Sequence, residues 1–169
     1  MTDEMTALAA QQLERVMGLC SQIGLKYLAV PAHFMGVGIA VGFGETDYTM
    51  LSIMAGGMES QLITTSGILK GINRDSEAAL KIVNRFNQQN TAYTVYLHDA
   101  DDSWSLLVQH TAPIQVFFDA PGYLNELVRG LPMAAQELRR QVAQETGLGG
   151  EPWSWTAHDH SALLLKSLL

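Results

Sequence analysis

The chain holds one cysteine, Cys20, among its 169 residues. A lone thiol excludes an internal disulfide framework and any cysteine-based zinc site, and it suits a reducing compartment. Basic residues are scarce as well: ten Lys and Arg stand against seventeen Asp and Glu, giving a formal charge of −7. That balance repels phosphate backbones and anionic lipid surfaces, so the expectation is no nucleic-acid and no membrane partner. It is compatible with a basic partner. No apolar run reaches the roughly eighteen residues that a spanning helix needs. The opening Met1-Thr2-Asp3-Glu4 is acidic where a signal peptide would be basic. These absences point to a cytoplasmic protein.

What is present is core-forming material. Hydrophobic residues make up 47% of the chain and charged residues only 16%, the ratio of a globular chain. A chain of this length buries about two-thirds of its unfolded surface and needs no staple.

The segment from Asp3 to Ile23 reads as an amphipathic helix. Met5, Leu8, Ala9, Leu13, Val16, Met17 and Cys20 recur at spacings of three and four, and Gly24 stands where a left-handed cap is expected. The period then changes to two. Lys26 to Val30 is a short strand ended by Pro31-Ala32-His33. Val37, Ile39, Val41 and Phe43 alternate with glycine and alanine, Asp47 to Met54 continues the pattern, Gly56-Gly57 marks a turn, and Leu62 to Leu69 gives a fourth strand. Turns this short leave no room for crossover helices, so the strands form an antiparallel meander.

Asp75 or Ser76 caps a second helix with an apolar stripe of Ala79, Ile82, Val83 and Phe86, a polar face of Asn84, Asn87, Gln88 and Gln89, and a stop at Asn90. A hairpin follows, with Tyr93, Val95 and Leu97 alternating up to a turn at Asp99 to Ser103, and Trp104, Leu106, Val108 and His110 returning. Ile114 to Phe118 reads as one more extended stretch. Asp119 and Pro121 open a last helix through Tyr123, Leu124, Leu127, Val128 and Leu131. Gly130 and Pro132 are expected to kink or divide it before it continues from Met133 to Thr146.

The expectation is a single α+β domain over residues 1–150, in the order α-β-β-β-β-α-β-β-α, with helices on one face of an antiparallel sheet. A tail over 151–169 carries Trp153 and Trp155, expected to dock on the domain or on a dimer partner, because exposed paired tryptophans are costly in water.

Three stretches carry a resemblance to a known group. They are the opening amphipathic helix, the run Ala78-Ala79-Leu80-Lys81-Ile82-Val83-Asn84-Arg85-Phe86-Asn87 leading into Tyr93-Thr94-Val95-Tyr96-Leu97, and the acidic turn Asp99 to Asp102 followed by Trp104 to Val108. In these, over residues 3–146, the chain resembles the YbjN-like group, which shares the fold of type III secretion chaperones. The resemblance brings no catalytic signature. It implies a homodimeric cytosolic protein that binds other polypeptides or serves a regulatory role. The Trp-containing tail departs from the secretion chaperones.

No catalytic, cofactor or metal residues are assigned. Gly36 to Gly44 lacks the third glycine of a dinucleotide loop and the Gly-Lys of a phosphate loop, and reads as strand. Asp99, Asp101 and Asp102 lack the glycine and glutamate of a calcium loop, since Trp104 and His110 fill those places. His158 and His160 flank Asp159 with no third ligand in view, and the sequence does not bring His33, His98 and His110 together. Cys20 lies on the apolar stripe as an inert thiol. Ser66 lacks a nucleophile elbow, and Glu59, Asp75 and Glu77 form no constrained acid–base pair. Met50, Met54, Met58 and Met133 read chiefly as core filler, with an adaptable binding surface as the functional alternative.

The leading reading is therefore a non-enzymatic protein-binding or regulatory protein. The rivals are a small-ligand binder or enzyme using the open sheet face, and a structural subunit of a larger assembly.

Overall fold

The periodicity from Asp3 onward produces a helix, α1 (Asp3–Gln22). Its two leading carboxylates suit the positive end of the helix dipole. Gly24 takes the left-handed conformation at φ 76°. There the Leu25 N–H reaches back to the Cys20 carbonyl at 2.8 Å, closing the C-terminus as a glycine cap does. The computed structural model describes residues 3–30, 37–43, 47–55, 58–100, 102–145 and 147–153. Gly56-Gly57, His33, Asp101, Trp155, His158, Asp159 and His160 lie outside them.

Three strands follow α1: β1 (Lys26–Val30), β2 (Val37–Phe43) and β3 (Asp47–Met54). They pair antiparallel as the short turns require, with Ala29 opposite Ile39 and Ile39 opposite Leu51. Next come β4 (Gln61–Ile72), α2 (Glu77–Gln89), β5 (Thr94–Ala100) and β6 (Ser103–Pro113). The chain then forms α3 (Ile114–Asp119), α4 (Pro121–Val142) and β7 (Gly149–Pro152). This is the expected α+β order with one helix and one short strand added.

The described residues divide into two compact units, residues 3–64 with 111–129, and residues 65–110 with 130–153. In the first unit α1 packs across β1, β2 and β3. It buries Ala9, Val16, Leu19 and Cys20, while Phe117 of α3 is buried and stacks on Tyr123 at 5.5 Å. In the second unit β4 lies between β6 and β7, and β5 lies beyond β6. The core there joins Ile68 and Ile72 of β4, Ala79 and Ile82 of α2, Val95, Leu106 and Val108 of the hairpin, and Leu131, Ala135, Leu138 and Val142 of α4.

Three expectations are corrected. Ile114 to Phe118 is helix rather than strand: Ile114 and Phe117, three apart, are both buried, as on one side of a helical turn. Gly130 and Pro132 do not divide α4, which runs from Pro121 to Val142 with Pro132 inside it. The third concerns methionine. Met50 is buried, but Met54, Met58 and Met133 are exposed, so core filler describes one of the four.

Ser76 is the cap of α2, its hydroxyl accepting from the Ala79 N–H. The hairpin is tighter than the run of turn residues suggests. Ala100 pairs with Ser103, which puts Asp99 inside β5, in an ion pair with Arg74.

Candidate functional site

On the first unit, the N-terminal half of α1 does not close against its neighbours. Met5, Leu8, Gln12 and Arg15 follow one another at spacings of three and four, which makes them a single ridge along the helix. Ala9 and Val16, one position round from that ridge, are buried toward the sheet. The ridge instead borders a groove of about 560 Å³. Its other wall is the segment Met58-Glu59-Ser60 and the start of α3 at Ile114 and Gln115.

The two parts of that wall are fastened together: the Ile114 N–H donates to the Ser60 carbonyl at 3.0 Å. Across the groove, the Arg15 guanidinium lies 4.3 Å over the Phe118 ring and donates to Gln12 Oε1 at 2.8 Å. The first contact joins α1 to α3, a cation over an aromatic face contributing on the order of 0.5–1 kcal/mol at an exposed site, and the second, within α1, orients the guanidinium.

The groove is lined by apolar side chains, Met5, Leu8, Met58 and Ile114, together with polar and charged ones. Leu8 is 41% exposed and the Met58 side chain is fully open to solvent. The expected stripe of α1 is thus split. Val16 and Cys20 are core, while Leu8 faces water. Glu4 and Glu59 are exposed at the margins.

The remaining candidates do not converge. His98 pairs with Ser105 near the hairpin turn. His110 sits at the open end, bonded to the Ala92 carbonyl and edge-on to Tyr93, so the two imidazoles are separated by roughly 15 Å of strand. Ser66 is buried in β4, Glu77 faces Lys81 along α2 at 3.9 Å, and Asp75 is exposed beside its cap. Cys20 is buried, and burial pushes its thiol up to about 11. Among the described residues no group of three or more His, Cys, Asp or Glu is placed to hold a metal ion. No helix among them is long and apolar enough to cross a membrane.

Sequence reasoning passed over two residues. Asn87, placed on the polar face of α2, grips the outer edge of β5: its side chain accepts from the Val95 N–H and donates to the Val95 carbonyl, each at 2.8 Å. Its position in the Val83–Asn87 run was the available signal. Gly67 is the other. A Cβ there would lie 2.9 Å from the Trp153 carbonyl oxygen and 3.0 Å from its ring. Trp153 lies against β4 at Gly67 with its backbone N–H on the Ile68 carbonyl, and the preceding β7 pairs with β4 through Lys70 and Glu151.

No family model matches the chain, and no curated protein matches it. Among solved structures it is similar to YbjN from E. coli, described as a candidate transcription regulator, with a TM-score of 0.53 at 9% identity over 83% of this chain and 96% of that one. At that identity the likeness is one of fold, and the fold is the one the sequence resemblance implies: this chain has the α+β architecture of YbjN.

Proposed function

We propose that this protein is a non-enzymatic regulatory protein that acts by binding a polypeptide. The observation that carries the reading is the groove on α1, where Leu8 and Met58 remain in water beside the buried Ile114. Apolar side chains gathered along one groove and rimmed by polar ones suit a protein partner, and methionine suits a surface that must adapt to one. The fold shared with YbjN, a candidate transcription regulator, is in keeping with a regulatory role. With a charge of −7, contact with another protein is favoured over direct contact with phosphate.

The test compares affinity capture by the wild-type chain with capture by a Leu8→Asp variant whose fold is checked by circular dichroism. Leu8 is already partly exposed, so the variant is expected to fold. A stoichiometric partner lost selectively from the variant supports the reading. A partner retained equally by both, or a chain that shifts duplex DNA at physiological salt, overturns it.

A further inference from the structure

The groove has a definite length, chemistry and sign. Its α1 wall runs from Glu4 to Arg15, eleven residue steps at 1.5 Å each, or about 16 Å. That matches about ten residues of a partner helix laid along it, enough for anchors at i, i+3 or i+4, and i+7. Met5, Leu8, Met58 and the buried Ile114 supply the apolar surface. Methionine thioethers accept varied side chains without demanding one shape.

The margins set the charge. Glu4 and Glu59 are exposed on the groove, and neither is in an ion pair among the described residues. Arg15 is the one cation among the groove residues, and its guanidinium is committed to the Phe118 face and to Gln12. Phe118 and Gln12 are neutral and leave that charge in place, so two carboxylates against one guanidinium give the groove lining a net charge of −1, the sign of the whole chain. Opposite charges across a rim steer association and set register.

We infer that the groove docks a cationic amphipathic helix, its apolar face on Met5, Leu8 and Met58 and its lysines or arginines against Glu4 and Glu59. This rests on the polypeptide-binding reading and adds to it the partner's shape and sign.

The experiment measures fluorescence anisotropy of a labelled synthetic amphipathic helix of leucine and lysine. Its counterpart with glutamate in place of lysine is measured alongside. Each is titrated with the full chain, with Glu4→Lys/Glu59→Lys, with Leu8→Asp, and with Asp102→Lys/Glu151→Lys, which makes the same charge change in the other unit. The expected result is binding of the lysine peptide, weakened about tenfold by the Glu4/Glu59 pair, as reversal of two rim charges predicts. The Asp102/Glu151 pair should leave it nearly unchanged, and Leu8→Asp should abolish it.

Equal weakening by both charge pairs would reduce the effect to net charge and overturn the inference. Equal binding of both peptides, lost with Leu8→Asp, would overturn the cationic preference while leaving polypeptide binding standing. Peptide binding indifferent to Leu8→Asp, or no binding, would overturn both. Two other occupants are also distinguishable. A dimer that becomes a monomer with Leu8→Asp in sedimentation would put a second copy in the groove. Peptide binding that emerges only when residues 154–169 are deleted would put the chain's own C-terminus there. Either outcome overturns the inference.

Discussion

The Thr49 hydroxyl donates to the Val128 carbonyl at 3.2 Å. Val128 stands four residues before Pro132 in α4. Proline has no N–H, so the carbonyl four residues earlier loses its helical partner. Thr49, fully buried on β3, supplies the missing hydrogen bond from outside the helix. An interior proline costs about 3 kcal/mol in an isolated helix. The continuing stripe Leu124, Leu127, Val128, Leu131, Ala135 and Leu138, all buried, gives the helix reason to continue past it.

Thr49→Val removes the donor while keeping the shape. Leaving a buried carbonyl unsatisfied costs about 1–3 kcal/mol, and the expected loss in chemical denaturation is of that size. Pro132→Ala restores an N–H at position 132. In that background Thr49→Val should cost markedly less. Equal costs in both backgrounds would show that the hydroxyl does not compensate for the proline.

Asn87 holds the edge of β5 shut. Val95 would otherwise present its N–H and carbonyl to solvent at the end of the sheet, where edge strands invite pairing with other chains. Asn87→Ala removes two hydrogen bonds, each contributing about 0.5–1.5 kcal/mol. The melting temperature should fall, and light scattering should show concentration-dependent association beyond that of the wild type. Asn87→Asp is the discriminating variant: it keeps the acceptor for the Val95 N–H and loses the donor to the carbonyl, so its effect should be intermediate. An Asn87→Ala variant as stable as the wild type and no more associated would show that the edge needs no guard.

The parts of the fold legible in sequence are those whose signal is local. The 3.6-residue spacing of Val16 and Cys20, the Ser76 cap and the alternation from Tyr93 to Leu97 each specify their own element within one window. The misread parts depend on distant partners. Ile114 to Phe118 is a short apolar run, which periodicity alone assigns equally to helix or strand. The carbonyl that Pro132 leaves without its helical partner is bonded by Thr49, some eighty residues away, and the role of Asn87 depends on a strand the helix only meets after a turn. The groove was least legible. It is assembled from three separate segments, and the exposure of Leu8 follows from what fails to cover it, which no spacing of Leu8 itself records.

Gly67 is where β4 admits the Trp153 ring. A methyl group in that space meets the indole and the Trp153 backbone at once, and relief requires Trp153 to move. Gly67→Ala should therefore release the segment of Gly149–Pro152 from β4. The amide of Trp153, bonded to the Ile68 carbonyl, reports this directly. Its hydrogen-exchange protection should vanish in Gly67→Ala. In Gly122→Ala, whose added methyl would meet nothing, it should persist. Overpacking of this kind costs about 1–3 kcal/mol. Unchanged protection would mean that β4 accommodates the methyl without displacing Trp153.

Cys20 links burial to alkaline stability. Desolvation of the thiolate raises its pKa from 9.0 to about 11 in the folded chain. Below pH 9 both folded and unfolded thiols are protonated, and the group contributes no pH dependence. Between pH 9 and about 11 the unfolded chain ionises while the folded chain resists. The folding equilibrium constant should then fall by up to about tenfold per pH unit from this group alone, levelling off above pH 11. Cys20→Ala, which leaves a small cavity but no titratable group, should be less stable at neutral pH yet lose part of the alkaline slope. Denaturant midpoints measured from pH 8 to 11 decide it, with thiol modification at pH 8 as the companion readout. Folded Cys20 should react far more slowly than the denatured thiol, since the thiolate is the reactive form. Identical alkaline slopes in wild type and Cys20→Ala, together with rapid modification of the folded chain, would show that the thiol is neither buried nor linked to folding.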